Sequence, residues 1–409
     1  MSLHGQNDVM HREVLLTANP ATRVRQRTFC RIVLVATFAL LAPLAAAQGM
    51  KPYDSAYYSV LTDVAPERAQ EAVLRVTKMF EEYQRRTSGF AGRVTRKMVF
   101  ELHNDYDRYL RHTEAPGTAG LYTGDRLYAA YRADTPIDTW HAVQHEGFHQ
   151  FVDFAMGRNA IPIWANEGLA EYFGESIWSG DLFFSGAVPP RRLERVQKLI
   201  RENGFRSAAA MLNLSHAQWN AEMNVVNYDQ AWSMVHFLAH GDGGKYADEF
   251  GRFLTQLRGA ANWQPVWRAN FGTDVDAFDK RWREYWLALK PDATVDVYTS
   301  ATVATMTSFY GRAFASKQRF ADWNELFETA KRSELKVRAD DWLPPGLLKQ
   351  ALIDVNERGT WELVGSAARK KLVCTLDDGR RIEGEFQIRD EQVKSVEVNI
   401  RPAKKQKKP

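Results

Sequence analysis

Two neighbouring segments decide the fold, 141-HAVQHEGFHQFVDF-154 and 161-IPIWANEGLAEYF-173. In the first, apolar residues recur at the spacing of an amphipathic helix, namely Val143, Phe148, Phe151, Val152 and Phe154. The same segment holds His145 and His149 in an H-E-x-x-H pattern. Residues i and i+4 lie one turn apart on one helix face, so both imidazoles can reach a single metal ion.

Glu146 lies about 100° around the predicted helix from His145, because an α-helix has 3.6 residues per turn. This orientation suits a general base beside an open coordination position rather than a third ligand. The alternative is that His145 and His149 are ordinary histidines on a solvated helix face, since such patterns also arise by chance. The apolar side of the helix indicates that it is anchored in a core, which weakens this alternative.

The second segment offers a third ligand, Glu167, which follows His149 with 17 residues between them. A carboxylate beside two imidazoles is a common ligand set for zinc. Leu169, Tyr172 and Phe173 give the helix that carries Glu167 an apolar side, which can pack against the first helix. The two segments therefore predict one metal site shared by two helices.

H-E-G-F-H followed by W-A-N-E-G-L-A-E-Y-F resembles the gluzincin metallopeptidases. It is particularly similar to the aminopeptidase N/leukotriene hydrolase group and to the related "peptidase MA-like" families. The resemblance covers roughly residues 95–260 and implies a zinc ion (Zn2+) held by His145, His149 and Glu167. It also implies that Glu171 orients the first histidine, although a solvated helix position is the alternative for this residue.

A third segment, 226-VNYDQAWSMVHFLA-239, resembles the Y-x-K-G helix of the aminopeptidase group. By that resemblance the Tyr228 hydroxyl stabilises the oxyanion formed during hydrolysis. The Lys and Gly of the motif are Gln230 and Ala231 here, so an aromatic core residue is the alternative for Tyr228. The exopeptidase motif G-x-M-E-N does not occur before the helix that carries His145 and His149. Binding of a free substrate N-terminus is therefore not implied by the resemblance.

Four further residues have weaker patterns. Asp153 follows His149 by four positions and is predicted to cap or orient it. His141 precedes His145 by four and is expected either to orient it or to lie on the surface. His236 and His240 repeat the i, i+4 spacing without a nearby Glu, which favours packing over a second metal site.

Composition excludes several classes of protein. The chain has 409 residues, of which 45% are hydrophobic and 25% charged, as in globular proteins. Its net charge of +4 resides mainly in residues 1–47, so the body is close to neutral and nucleic acid is not expected as a partner. The two cysteines, Cys30 and Cys374, exclude a disulfide framework, and Cys374 is expected to be buried on a strand.

Residues 1–47 have the pattern of an export signal. Four arginines between Arg23 and Arg31 precede the apolar run Ile32–Ala47, which ends in small residues. We expect a mature periplasmic or extracellular protein that starts at Gln48 and has no stable membrane insertion. The alternative is a retained anchor, but the run is shorter than the roughly 20 residues needed to span a bilayer.

The predicted fold class is α+β. A gluzincin-like metallopeptidase domain of a small sheet and a helical subdomain spans 48–290. It begins with a helix at 66–87 and strands at 93–103 and 120–131, and the second of these strands forms a hairpin or an edge that pairs with substrate. Helices follow at 139–156 and 166–175, and 191–290 is almost entirely helical. A helical region (291–358), a small antiparallel β unit (359–402) and a lysine-rich tail (403–409) complete the chain.

These features predict a peptidase in which Glu146 moves protons while a peptide or protein substrate is hydrolysed. One alternative is a catalytically silent, zinc-stabilised binding or scaffold protein of the same fold. An intact H-E-x-x-H argues against it, because such a protein has no need of Glu146. Another alternative is a hydrolase that acts on a different bond. No sequence feature indicates an oligomeric state.

Overall fold

The computed structural model describes residues 49–158, 160–222, 224–258, 260, 262–366 and 369–403. The predicted export segment 1–47, including Cys30, and the lysines of the tail lie outside these described residues. Within them, the protein has the predicted α+β composition, a helical body with small sheets. No helix in the described part of the chain is both long and apolar enough to cross a membrane.

The first sheet has five strands and two associated helices. Its elements are β1 (Lys51–Asp54), β2 (Tyr58–Thr62), α1 (Pro66–Thr87), β3 (Met98–His103), α2 (Tyr106–Thr113), β4 (Gly120–Thr123) and β5 (Arg126–Ala130). The strand order is β1-β2-β3-β5-β4, with β2, β3 and β5 parallel and the outer strands antiparallel to their neighbours. The hairpin predicted over 120–131 is confirmed and makes β4 an edge strand, whereas the strand predicted from Arg93 begins only at Met98.

A run of helices follows the sheet and is interrupted by one short hairpin. The elements are α3 (Pro136–Met156), α4 (Ile163–Gly174), β6 (Ile177–Trp178), β7 (Phe183–Phe184), α5 (Pro190–Arg201), α6 (Ala208–Leu212), α7 (His216–Ala221), α8 (Val225–Gly244), α9 (Ala247–Leu257), α10 (Trp263–Phe271) and α11 (Val275–Ala288). Regular helical geometry in α8 stops at Gly241.

Helix α3 lies between the sheet and the other helices and is anchored by aromatic packing. Phe151 meets Phe80 of α1 at a ring-centroid distance of 5.5 Å, and Phe148 meets Tyr83 at 5.6 Å. Both phenylalanines are fully buried, and each contributes roughly 1.5–3 kcal/mol through removal of its ring from water. The apolar side of α3 predicted from sequence therefore fixes the rotation of the helix and the direction of its histidines.

The C-terminal part combines three helices with a second sheet. The elements are α12 (Val295–Ala315), α13 (Trp323–Lys331), α14 (Pro345–Val355), β8 (Thr360–Ser366), β9 (Arg369–Thr375), β10 (Arg381–Arg389) and β11 (Gln392–Arg401). The sheet is antiparallel in the order β11-β10-β9-β8, and Cys374 is buried on β9 as expected. Helix α12 packs on this sheet and also joins the β6–β7 turn through the ion pair of Arg312 with Asp181.

Helices α4 and α8 approach each other closely at Gly168, which follows Glu167. A Cβ atom at this position would lie 2.5 Å from the carbonyl oxygen of Ala231 and 2.6 Å from Val235 Cγ2. Glycine is therefore required because the α8 backbone occupies the space of a side chain. The contact sets how deeply α4, and with it Glu167, sits in the helical body.

The variant Gly168→Ala should lower the free energy of unfolding by about 1–3 kcal/mol, because overpacking outweighs the better helix propensity of alanine. The control is Gly251→Ala on α9, where an added Cβ would meet nothing within 4 Å. That change should be neutral or stabilising by up to about 1 kcal/mol. Urea unfolding followed by circular dichroism compares the two, and equal stability of both variants would contradict the argument.

Helix α8 also buries His236, whose side chain points towards the Gly186 carbonyl oxygen with Nε2 at 3.2 Å. Burial, assisted by His240, lowers the pKa of His236 to about 3. Between this pKa and the unfolded pKa of about 6.5, the unfolded chain binds a proton that the folded chain does not. The contribution of His236 to stability is thus present above about pH 6.5 and lost as the pH falls.

Replacement of His236 by Gln retains an N–H donor and removes the titration. On going from pH 7.5 to pH 5, the wild type should lose on the order of 2 kcal/mol more unfolding free energy than His236→Gln. Urea unfolding at the two pH values measures this difference, in which titrations elsewhere in the chain cancel. Parallel pH dependence of the two proteins would exclude His236 as the cause.

Candidate metal centre

Helices α3 and α4 bring the three predicted ligands together. His145 Nε2 lies 3.1 Å from His149 Nε2 and 3.3 Å from Glu167 Oε2, and His149 Nε2 lies 3.5 Å from the same oxygen. These side chains are 11–14% exposed, so the three atoms converge at the wall of a partly covered site. The residue types and separations are those of a group that could hold a metal ion.

Electrostatics at this site favour a cation among the three atoms. Burial opposes ionisation of Glu167, but the neighbouring imidazoles of His149 and His145 lower its pKa to about 2. Burial likewise disfavours protonated His145, yet its contacts with Glu167 and Glu171 raise its pKa well above the ordinary value. Electron pairs of two imidazoles and a carboxylate at this distance repel each other unless a proton or a metal ion lies between them.

Each histidine is held through its second ring nitrogen. His145 Nδ1 lies 3.0 Å from Glu171 Oε1, as the resemblance implied, and His149 Nδ1 lies 3.2 Å from Asn166 Oδ1. A hydrogen on Nδ1 that is donated to either oxygen leaves Nε2 free to bind a metal ion. Asn166 was not singled out from the sequence, although it directly precedes Glu167.

The prediction for Asp153 was wrong, because its carboxylate is not the partner of the His149 ring. Asp153 Oδ2 accepts a hydrogen bond of 3.1 Å from the Tyr122 hydroxyl, and Arg158 Nε lies 3.7 Å away. The edge strand β4 brings Tyr122 to Asp153, whereas α4 brings Asn166 to His149. Neither approach is visible in the i, i+4 spacing along α3.

Glu171 is itself held by Arg192, a buried residue on α5 that sequence reasoning missed. The Arg192 guanidinium contacts Glu171 and Glu175 at 2.7 Å each and Asp229 at 2.9 Å, and it lies over the Trp232 ring. Burial opposes ionisation of Glu171, but Arg192 and His145 hold its pKa far below the usual range. The carboxylate that orients His145 is therefore fixed in both position and charge.

The three other histidines singled out from the sequence, His141, His236 and His240, do not join the three-ligand group. His141 Nε2 lies 3.9 Å from Glu171 and 3.8 Å from Glu175, but Arg192 already supplies the cation for both carboxylates. His236 points to the Gly186 carbonyl, and His240 Nε2 lies 2.9 Å from the Tyr172 hydroxyl. These contacts agree with packing roles for His236 and His240.

Glu146 and Tyr228 lie beside the three ligands. Glu146 Oε2 accepts a 2.9 Å hydrogen bond from the backbone N–H of Tyr122, which aims the carboxylate along β4. The Tyr228 ring lies 6.0 Å from the His145 ring and packs against Trp219 at 5.3 Å. Burial, followed by the negative charge of Glu167, raises the pKa of Tyr228, so its hydroxyl stays protonated and can donate a hydrogen bond.

These residues open onto a cleft of about 500 Å³. One wall comes from β4 and its turn, the floor comes from α3 and α4, and the opposite wall comes from α7 and Tyr228. The lining residues are Leu121, Tyr122, Thr123, Gly124, His145, Glu146, His149, Asp153, Arg158, Ile163, Asn166, Glu167, His216, Asn220 and Tyr228.

Comparison with known proteins gives one family similarity. Residues 140–264 match a family described as "Protein of unknown function (DUF1570)". The match covers less than half of the chain but includes every residue of the three-ligand group, together with Glu146, Glu171 and Tyr228. No curated protein matches the chain.

The variant Arg192→Met should leave Glu171 and Asp229 buried without this guanidinium. We expect a loss of about 3–5 kcal/mol in unfolding free energy and a 10–100-fold weaker metal affinity, because His145 loses its fixed partner. Chemical denaturation and metal titration measure the two effects. The matched control is Arg191→Met, which changes an exposed neighbour on the same helix; similar results for both variants would refute a role for Arg192 in holding the site.

Proposed function

We propose that this protein is an exported zinc-dependent peptidase of the gluzincin type. The observation that carries the proposal is the convergence of His145 Nε2, His149 Nε2 and Glu167 Oε2 to within 3.1–3.5 Å of one another beside Glu146. Export is proposed from the sequence of residues 1–47. The family similarity over residues 140–264 covers the same group of residues and is neutral about the reaction.

The ligand atoms fit zinc. Two imidazole nitrogens and one carboxylate form a common catalytic zinc set, with bonds of about 2.0–2.2 Å. Atoms arranged tetrahedrally around such an ion are separated by about 3.3 Å. The three separations in this protein, 3.1, 3.3 and 3.5 Å, bracket that value. The buried oxygen Glu167 Oε2 has no hydrogen-bond donor among the described residues, which also fits a metal ligand.

The side chains around the site supply the remaining chemistry. Zinc bound there would lower the pKa of a water ligand and polarise a substrate carbonyl. Glu146 accepts a proton from the water as its oxygen bonds to the carbonyl carbon, and it passes that proton to the nitrogen as the C–N bond breaks. The Tyr228 hydroxyl donates a hydrogen bond to the oxyanion, and the Tyr122 N–H keeps Glu146 in place.

Replacement of Glu146 by Gln tests this assignment, since the amide keeps the shape of the side chain and cannot act as a base. We expect about one zinc ion per chain in both wild type and variant, and a 10²–10⁴-fold loss of kcat/KM in the variant. Metal analysis and a peptide cleavage assay measure the two quantities. A zinc-loaded Glu146→Gln variant with normal turnover would overturn the role of Glu146.

The control is Glu167→Ala, which should lose both zinc and turnover. Glu175→Ala is a matched change of a nearby carboxylate outside the three-ligand group, and it should retain zinc. A wild type that folds and binds no zinc after zinc addition would overturn the proposed function. Full zinc loading of the wild type without hydrolysis of peptides or other bonds would instead favour a zinc-stabilised scaffold.

A further inference from the structure

A separate cavity lies in the C-terminal part of the protein, outside the metal cleft. It has a volume of about 600 Å³ and is enclosed by α12, α13, α14 and the connecting segment (332–344) between α13 and α14. Among the described residues, it shares no lining residue with the cleft at the metal centre. Volumes between about 300 and 1,000 Å³ are typical of sites that bind small organic ligands.

The walls of this cavity are mainly aliphatic. In the connecting segment, Leu335 and Val337 line the cavity and are half-buried, whereas Lys336 between them is exposed. The larger apolar side chains of the lining include Leu335, Val337, Trp342, Leu343, Leu348 and Leu352. Transfer of a hydrocarbon chain from water to such walls is favourable, because it removes apolar surface from water on both sides.

The connecting segment is fixed near both of its ends, which holds the cavity open. Near its start, Gln318 donates to the Glu334 carbonyl at 3.2 Å and accepts from the Lys336 N–H at 2.9 Å. Near its other end, Arg312 Nε donates to the Asp341 carbonyl at 2.9 Å. The apolar walls therefore cannot close on each other without the loss of these hydrogen bonds.

The charged residues in the lining are two lysines, and no carboxylate is among the described residues there. Lys331 forms an ion pair with Glu328 at 2.9 Å. Lys349 is exposed on α14, and in the described part of the chain it has no hydrogen-bond or ion-pair partner. A lysine side chain has a flexible stem and keeps its ammonium group in water, so it can meet an anion at the mouth of an apolar cavity. The lining is thus complementary to an amphipathic anion.

We propose that this cavity binds a free single-chain aliphatic carboxylate. The hydrocarbon chain lies between α12, α14 and the connecting segment, and the carboxylate is held by Lys349. A cationic amphiphile of the same length would contact the same walls but meet a like charge at the mouth. A short-chain acid would reach Lys349 and bury little apolar surface. The inference goes beyond the proposed peptidase function and does not depend on it, because the two cavities are lined by different residues.

Titration calorimetry of the full chain with dodecanoate, below its micellar concentration, tests the proposal. We expect one dodecanoate per chain, bound at least tenfold more tightly than either butanoate or dodecyltrimethylammonium. The first comparison measures the contribution of the hydrocarbon chain, and the second measures that of the charge. A folded wild type that does not bind dodecanoate, or that binds the two twelve-carbon amphiphiles equally, would overturn the proposal.

The variant Lys349→Gln removes the proposed counter-charge from an exposed position. It should weaken dodecanoate binding by about three- to tenfold, the range expected for a charge-assisted contact near the surface. The matched control is Lys336→Gln, which changes an exposed lysine of the connecting segment outside the lining and should stay within about twofold of wild type. Equal effects of the two substitutions would rule out Lys349 as the anchor.

Leu348→Asp places a carboxylate in the apolar wall and tests the location of the hydrocarbon chain. It should weaken dodecanoate binding at least tenfold and strengthen that of dodecyltrimethylammonium, a gain that only a folded cavity can give. Ile353→Asp is the control, because Ile353 is exposed on the same helix and lies outside the lining. Unchanged dodecanoate affinity in folded Leu348→Asp would contradict the proposed location. The two lysine variants, which alter exposed positions, keep the proposal testable if Leu348→Asp does not fold.

Vesicles of phosphatidylglycerol distinguish a free carboxylate from an anionic membrane surface. We expect the protein to remain in the supernatant when these vesicles are sedimented, since the cavity accepts one chain and not a bilayer. Sedimentation with the vesicles that is weakened by Lys349→Gln but not by Lys336→Gln would overturn the free ligand in favour of a membrane surface.

Discussion

The meeting of α3 and α4 at three ligand atoms is the constraint on which the rest of the structure depends. Two histidines one turn apart on α3 point their Nε2 atoms to the same side of the helix. Helix α4 brings the carboxylate of Glu167 to that side, at 3.3 Å from His145 Nε2 and 3.5 Å from His149 Nε2. That approach is tolerated because Gly168 lets α4 lie against the α8 backbone. Aromatic packing on the far side of α3 prevents the histidines from rotating away. The same packing contacts therefore determine both the position of the three ligand atoms and how deeply α4 lies in the core.

A line of charges extends the constraint beyond these two helices. His145 is held by Glu171, Glu171 by Arg192, and Arg192 by Asp229 on α8. Ion pairs between exposed residues contribute little, but these groups are buried, and loss of one member removes a counter-charge from its partner in the interior. Helices α5 and α8 thus contribute to the orientation of an imidazole that neither of them carries.

Sequence periodicity predicted the elements that carry the site, because apolar residues recur at helical spacing in α1, α3 and α4, although α4 proves to be buried on nearly all sides. The three-ligand group followed from i, i+4 spacing, which acts within one helix, and from the resemblance for Glu167. Contacts between elements were not predictable in this way. The partner of the His149 ring is Asn166 and not the predicted Asp153. Arg192 was not predicted at all, because both contacts depend on how the helices cross. The sequence signal for Arg192 was its position four residues before Val196, on the apolar side of α5.

Tyr122 donates two hydrogen bonds to α3, from its backbone N–H to Glu146 and from its hydroxyl to Asp153. These carboxylates are seven residues apart, or about 10 Å along the helix axis. Two attachments across that span stop β4 from tilting or sliding relative to the helix. In a peptidase that uses this strand, the distance between substrate backbone and base is then a property of the scaffold, independent of which side chains the substrate carries. Such an enzyme is expected to tolerate many substrate sequences, because the strand is held at a fixed distance from the base.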